Sequence, residues 1–253
     1  MAESRSRLGG KQGRQVAFAP MLVVGFPAAA FGTNCFVLAT QEGEECVVVD
    51  PGVGVVDRLE QVLGEYRLKP AAVLLTHGHL DHVYSGTPVC GAHGVAAVIH
   101  PDDRYRLADP VSTLDPSLVS MMEQSFGTSA SWREPDDVTL VGDGEILQIA
   151  GLSLAVDHAP GHTEGSIMFR TPGGDDIGEL LLSGDVLFAG SIGRTDLPGG
   201  DTAAMMRSLA GKVLPLDDSV VVLPGHGPQT TIGRERSTNP FLAQAARLGR
   251  HGP

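Results

Sequence analysis

Val73-Leu74-Leu75-Thr76-His77-Gly78-His79-Leu80-Asp81-His82 carries three histidines and an aspartate within six residues, directly after an apolar run. Spaced i, i+2, i+4 and i+5, with Gly78 relieving the backbone, these four side chains form a compact nest for divalent metals. His and Asp are poor fillers for the end of a strand, so packing does not account for the crowding. Two ions sharing a bridge need further ligands, which must come from other strand ends. His162 lies in Ala159-Pro160-Gly161-His162-Thr163, Asp185 follows Leu181-Leu182-Ser183-Gly184, and His226 sits in Val222-Leu223-Pro224-Gly225-His226-Gly227. Each repeats the order of apolar run, small residue, ligand that a site built at one edge of stacked sheets requires. Two divalent ions about 3.5–4 Å apart lower the pKa of a shared water toward neutrality and make it a nucleophile for a carbonyl or phosphoryl centre. No protein nucleophile is then needed. The chain has no Gly-x-Ser-x-Gly elbow, no Walker-type phosphate loop and no dinucleotide fingerprint.

The elements that must carry these side chains are short. Apolar, β-branched runs predict strands over 21–25, 34–40, 46–50, 71–75, 95–99, 138–141, 145–149, 152–157, 166–171, 179–183 and 219–223. Val55, Val56, Leu59, Val62, Leu63 and Tyr66 recur at three- and four-residue steps, which predicts an amphipathic helix over 54–67 lying on a sheet. Further helices are predicted over 116–126, 202–213 and 235–248, the first within a polar connection at the substrate rim. Strands, then helix, then strand, repeated in a second half, predict an α+β fold of two packed sheets with helices outside.

Composition agrees with one ordered domain over 21–240: 42% of the 253 residues are hydrophobic, and 33 Gly and 17 Pro supply turns. Residues 1–20, with Arg5, Arg7, Lys11 and Arg14 among glycines and little periodicity, read as a disordered tail, with Met21 as an alternative start. Residues 241–253 read as the end of the last helix and a tail. The net charge of -12 opposes nucleic-acid binding, which rests on Lys and Arg displacing counterions. No apolar run reaches the roughly 20 residues that span a bilayer, and no secretory signal is recognisable. Cys35, Cys46 and Cys90, odd in number and set among apolar residues, read as reduced thiols, so the expected location is the cytoplasm. His93, His100, His158 and His251 have no partner at ligand spacing and read as structural or exposed.

With those residues in place, the sequence resembles the metallo-β-lactamase superfamily of hydrolases, in its glyoxalase II-like branch, over about residues 21 to 240. His77-Gly78-His79-Leu80-Asp81-His82 is similar to the superfamily's HxHxDH motif, and His162, Asp185 and His226 fall in order at its remaining ligand positions. The resemblance implies that His77, His79 and His162 hold a first metal, that Asp81, His82 and His226 hold a second, and that Asp185 bridges them. It implies that Asp50, after Val47-Val48-Val49, supports the ligand loop without binding metal. It also implies a four-layer αββα sandwich and two divalent ions, zinc first, with iron or manganese as alternatives.

The implied reaction is cleavage of a small-molecule thioester, such as a hydroxyacylglutathione, with Asp81 and Asp185 at the reacting water. A thiolate, of pKa about 8.5, leaves without a general acid, whereas an amine must first be protonated. Gly193-Arg194-Thr195-Asp196 is similar to the GRTD stretch of small glyoxalase II-like proteins. Arg194 is therefore a candidate to hold substrate, with pairing to Asp196 as the competing role. Tyr84, just after the ligand loop, is a candidate pocket residue. Glyoxalase II proper carries a C-terminal helical domain for glutathione; here only Arg234, Arg236, Arg247 and Arg250 stand in that region, so another thiol carrier is open. The rival reading is a persulfide dioxygenase, an oxidoreductase of the same superfamily using one Fe(II) and oxygen. A β-lactamase, a nuclease and a non-catalytic metal-binding module fit less well. The sequence leaves the oligomeric state open.

Overall fold

In the computed structural model, which describes residues 21–111, 120, 124, 133–174 and 178–249, strand periodicity is obeyed on both sides of each sheet. Val47 and Val49 point into one apolar cluster with Leu38, Leu74, Leu154, Phe169 and Leu182, while Cys46 and Val48 point into another with Leu59, Val62 and Leu63. Alternate residues of one strand thus bury against two different layers, as strands covered on both faces must.

The first sheet runs β1 (Leu22–Pro27), β2 (Asn34–Ala39), β3 (Glu45–Val49), β4 (Lys69–Leu74), β5 (Ala97–Ile99) and β6 (Val138–Leu140) in that order. β1 to β3 pair antiparallel and β3 to β6 parallel. The second is built of β7 (Ile146–Ile149), β8 (Leu152–His158), β9 (Ile167–Pro172), β10 (Glu179–Gly184), β11 (Val221–Pro224) and β12 (Thr230–Thr231), in sequence order across the sheet. Its pairings are antiparallel except β10 with β11. α1 (Val56–Glu65), α2 (Leu80–Val83), α3 (Gly86–His93) and α4 (Tyr105–Ala108) follow strands of the first sheet. α5 (Thr202–Ser208), its π-helical continuation Leu209–Val213, α6 (Ile232–Thr238) and α7 (Pro240–Gly249) accompany the second sheet. Met205, Leu209, Val213 and Leu242 pack there on Met168, Leu181 and Val222. The result is the predicted α+β, four-layer αββα sandwich.

Each predicted strand is present within a few residues. The helix predicted over 235–248 is two helices. Pro240 disfavours the α conformation at Asn239 (φ -79, ψ 117), and the chain restarts with Pro240 at the first position of α7. The pattern predicted neither α2, α3 and α4 nor β12. The helix expected over 116–126 falls almost entirely outside the described residues, as does the expected tail at 1–20, and of the stretch 241–253 residues 250–253 lie outside them too. No helix among the described residues is long and apolar enough to cross a membrane. Cys35, Cys46 and Cys90 are free and buried; burial, with Glu45 and Asp137 respectively nearby, pushes Cys46 and Cys90 up to about 12, so these thiols are inert.

Candidate metal centre

Five histidines and two aspartates converge from four loops. β4 delivers His77, His79 immediately precedes α2, and Asp81 and His82 lie in its single turn. His162 follows β8, Asp185 follows β10, and His226 follows β11. The donor atoms of His77, His79 and His162 lie within 4.8 Å of one another, as do those of His77, His82 and Asp185, and those of Asp81, His82 and His226.

Hydrogen bonds made away from this centre decide which ring nitrogen faces it. Asp50, buried at the end of β3, accepts from the Thr76 backbone N–H (2.8 Å), the Thr76 hydroxyl (2.7 Å) and His82 Nδ1 (2.9 Å). Having donated to Asp50, the Thr76 hydroxyl accepts from His77 Nδ1 at 3.0 Å. His162 Nδ1 donates to the Arg194 carbonyl at 2.8 Å. All three imidazoles therefore hold a proton on Nδ1 and turn Nε2 inward, the nitrogen left to bind a metal. His79 turns its Nδ1 to within 2.8 Å of His162 Nε2.

Asp185 stands between the two groups. Its Oδ2 is 3.4 Å from His162 Nε2 and 3.7 Å from His226 Nε2, and its Oδ1 is 3.3 Å from His82 Nε2. Asp81 Oδ2 lies 3.1 Å from His226 Nε2 and accepts from the Thr33 hydroxyl at 2.9 Å. Thr33 also bridges to His226, and the Asn34 side chain donates to the carbonyls of Pro224 and Gly227, so the turn before β2 latches the His226 loop.

The electrostatics separate the ligands. Burial, then the nearby imidazoles of His82 and His162, holds His77 well below the ordinary histidine range. Burial and His162 bring His79 down to about 3, and burial lowers His162 against the pull of Asp185. These three rings are neutral at pH 7, the form that donates a lone pair. Burial also pulls on His82, but Asp81, Asp185 and Asp50 outweigh it and raise that ring's pKa. His226 is likewise raised against burial by its bond to Asp81 and the charge of Asp185. Burial pushes Asp81 and Asp185 upward, yet His82 and its neighbours hold both below the usual carboxylate range. His77 Nε2 and Asp185 Oδ1 are buried with no hydrogen-bond partner. Buried polar atoms are seldom left so. Tetrahedral ligation at about 2.0–2.2 Å sets donor atoms roughly 3.3–3.6 Å apart, so this mixed imidazole and carboxylate set fits a pair of divalent ions.

Tyr84 is half-buried and packs with Val53 and Leu80. The Arg194 guanidinium makes two 2.8 Å contacts with the Asp196 carboxylate, both side chains exposed. His93 pairs with Glu60. His100 and His158 do have partners: they stack 3.9 Å apart, 11° from parallel, and group with Asp102. Parallel rings keep their in-plane lone pairs in separate planes, so the stack does not point both at one ion. His251 is outside the described residues. Sequence reasoning passed over Thr76 and Thr33, whose only local signal is a hydroxyl next to a ligand or at a strand start.

Residues 28–226 match the family model described as the metallo-beta-lactamase superfamily. The chain belongs to that superfamily. It is 45% identical over 229 residues to an uncharacterized protein of Mycobacterium tuberculosis, covering 90% of this chain and 100% of that one. It is 37% identical over 216 residues to the hydroxyacylglutathione hydrolase GloC of Haemophilus influenzae, covering 85% and 95%. Among solved structures, the B3 metallo-beta-lactamase BLEG-1 superposes with a TM-score of 0.72 at 34% identity, over 87% of this chain and 99% of its own. TTHA1623, solved in a di-iron-bound form, gives 0.70 at 34%, over 87% and 100%. ETHE1 from Myxococcus xanthus gives 0.69 over 92% of each chain, but at 21% identity it shares the fold alone. The superfamily is one of metal-dependent hydrolases.

Proposed function

We propose that this protein is a glyoxalase II-like thioesterase that cleaves an acyl-thiol, a hydroxyacylglutathione or a related thioester, with two divalent ions per chain. The observation that carries the reading is the buried Asp185 carboxylate between the two histidine groups, with Oδ1 3.3 Å from His82 Nε2 and Oδ2 3.4 Å from His162 Nε2 and 3.7 Å from His226 Nε2. His77, His79 and His162 would hold one ion, Asp81, His82 and His226 the other, and Asp185 both. Bound there, the ions supply an acidified water and a counter-charge for a carbonyl oxygen. Asp81, fixed by Thr33, orients the attacking water; Asp50 and Thr76 keep the rings in the metal-binding tautomer. The leaving thiolate needs no acid from the chain, which suits a centre whose Asp81 and Asp185 are held below the usual carboxylate range. GloC supports the substrate class, and the di-iron neighbour makes iron eligible beside zinc and manganese.

The test is metal analysis of freshly purified protein, then acyl-glutathione and other acyl-thiol substrates with and without oxygen. About two ions per chain and oxygen-independent cleavage are expected. A single iron with oxygen consumed on a persulfide would replace this reading with the dioxygenase one. Arg194 is proposed to leave Asp196 and grip the substrate. Arg194→Ala should then raise KM about tenfold and leave kcat within about twofold, because the carbonyl that orients His162 survives the substitution. An unchanged KM assigns the guanidinium to Asp196 alone.

A further inference from the structure

Burying an ionised carboxylate is costly unless several donors surround it. Asp103, in the 3-10 turn Pro101–Asp103 after β5, is fully buried and meets that requirement from two directions. Its Oδ2 accepts from the Gly78 backbone N–H and from the Thr163 hydroxyl, each at 2.7 Å, and its Oδ1 accepts from the Gly165 N–H at 2.9 Å. Gly78 lies between His77 and His79, and Thr163 follows His162. One carboxylate thus ties together the two loops that bring in His77, His79 and His162, although these loops are far apart in sequence.

The packing gives no slack. A Cβ at Gly78 would stand 2.7 Å from the Cβ and Cδ of Arg106, and one at Gly165 would stand 2.6 Å from the Asp103 nitrogen. The glycine of the His-Gly-His turn is therefore needed for the close approach of this segment. Arg106, itself buried, donates to Glu164 at 2.8 Å and to the Pro198 carbonyl at 3.0 Å. That fastens the same His162 loop to the stretch whose Arg194 carbonyl orients the His162 ring. Asp50 acts elsewhere on the ligand loop, directly on His82 and by way of Thr76 on His77. Among the described residues, no hydrogen bond of Asp103 reaches the Asp81–His82 turn or the His226 loop.

We propose that Asp103 is a positioning residue for one of the two metal positions: its carboxylate sets the mutual placement of His77, His79 and His162 and so governs zinc affinity there, leaving the Asp81–His82–His226 position largely independent. The inference rests on the dinuclear reading above. An amide at this place has one accepting oxygen and presents N–H donors to a neighbour that also donates, so Asp103→Asn breaks at least one of the three ties.

The experiment is equilibrium dialysis of chelator-stripped, full-length protein against buffered free zinc, with Co(II) absorption spectra as a second readout. Wild type should take up two ions. Asp103→Asn should lose about 10- to 100-fold in affinity for one of them and hold the other within about threefold. In a His79→Ala background, Asp103→Asn should leave the remaining zinc unchanged; in a His226→Ala background it should weaken it. Thr163→Val, which removes a single donor and keeps the carboxylate, should show a smaller loss at the same position and decides the matter if Asp103→Asn does not fold. Equal weakening of both ions, or wild-type binding of both, in a folded variant overturns the proposal. A wild type that takes up fewer than two ions overturns instead the dinuclear reading, and this inference with it.

Discussion

Asp185→Asn is expected to lower bound metal and kcat together, each by about a hundredfold or more. The substitution preserves shape and removes the one charge facing both histidine groups. Asp185 is 8% exposed, so solvent does not replace what is lost. Its Oδ1 and Oδ2 stand 3.3 Å from His82 Nε2 and 3.4 Å from His162 Nε2. In Asn one of those atoms becomes an NH2 group, whose protons point where a metal should be. The Gly193 N–H donates to the Asp185 main-chain carbonyl at 3.0 Å and fixes the backbone there, while Gly225 packs against Oδ1 so closely that no Cβ would fit. Loss of function with an unchanged circular-dichroism spectrum therefore reports the carboxylate and not misfolding. Metal content by mass spectrometry and steady-state turnover of a thioester are the measurements. Near-normal turnover at full metal content would remove Asp185 from the bridging role.

The ligand set was legible because each member sits in a local context that packing alone does not explain. An apolar run, a small residue and then His or Asp is recognisable at Leu75 to His77, Gly184-Asp185 and Gly225-His226 without any three-dimensional information. Strand positions were legible for the related reason that period-2 alternation survives burial on both faces, as Val47 and Val48 show by packing into different clusters. The split at Asn239–Pro240 was available from the proline, but the apolar spacing on either side ran through it. Asp103 was not available. In Pro101-Asp102-Asp103-Arg104 two adjacent aspartates look alike, yet the side chain of Asp102 is 56% exposed and that of Asp103 is 0% exposed. The difference comes from loops at Gly78 and Thr163 that only the fold brings near. The His100–His158 stack is of the same kind, made where β5 and β8, strands of different sheets, end.

Zinc added to chelator-stripped protein is expected to raise the thermal midpoint by about 10 °C, because binding and folding share one free energy. The folded chain brings His77, His79 and His162 together as neutral rings with lone pairs aimed inward, and sets Asp81 and Asp185 beside them as carboxylates. An unfolded chain holds no such set. A ligand present at about a thousand times its dissociation constant stabilises the state that binds it by about 4 kcal/mol, and a chain of this size shifts its midpoint by roughly 2–4 °C per kcal/mol. One occupied position therefore accounts for a rise near 10 °C, and a second adds to it. Magnesium makes the informative control. It prefers a shell of oxygens and gives up its waters reluctantly, so a centre with five imidazoles should hold it poorly and the midpoint should move by less than about 2 °C. The comparison is read by differential scanning calorimetry at matched ionic strength. A midpoint indifferent to zinc, or equally responsive to magnesium, would mean that the seven side chains do not act as a nitrogen-rich metal centre, whatever their spacing.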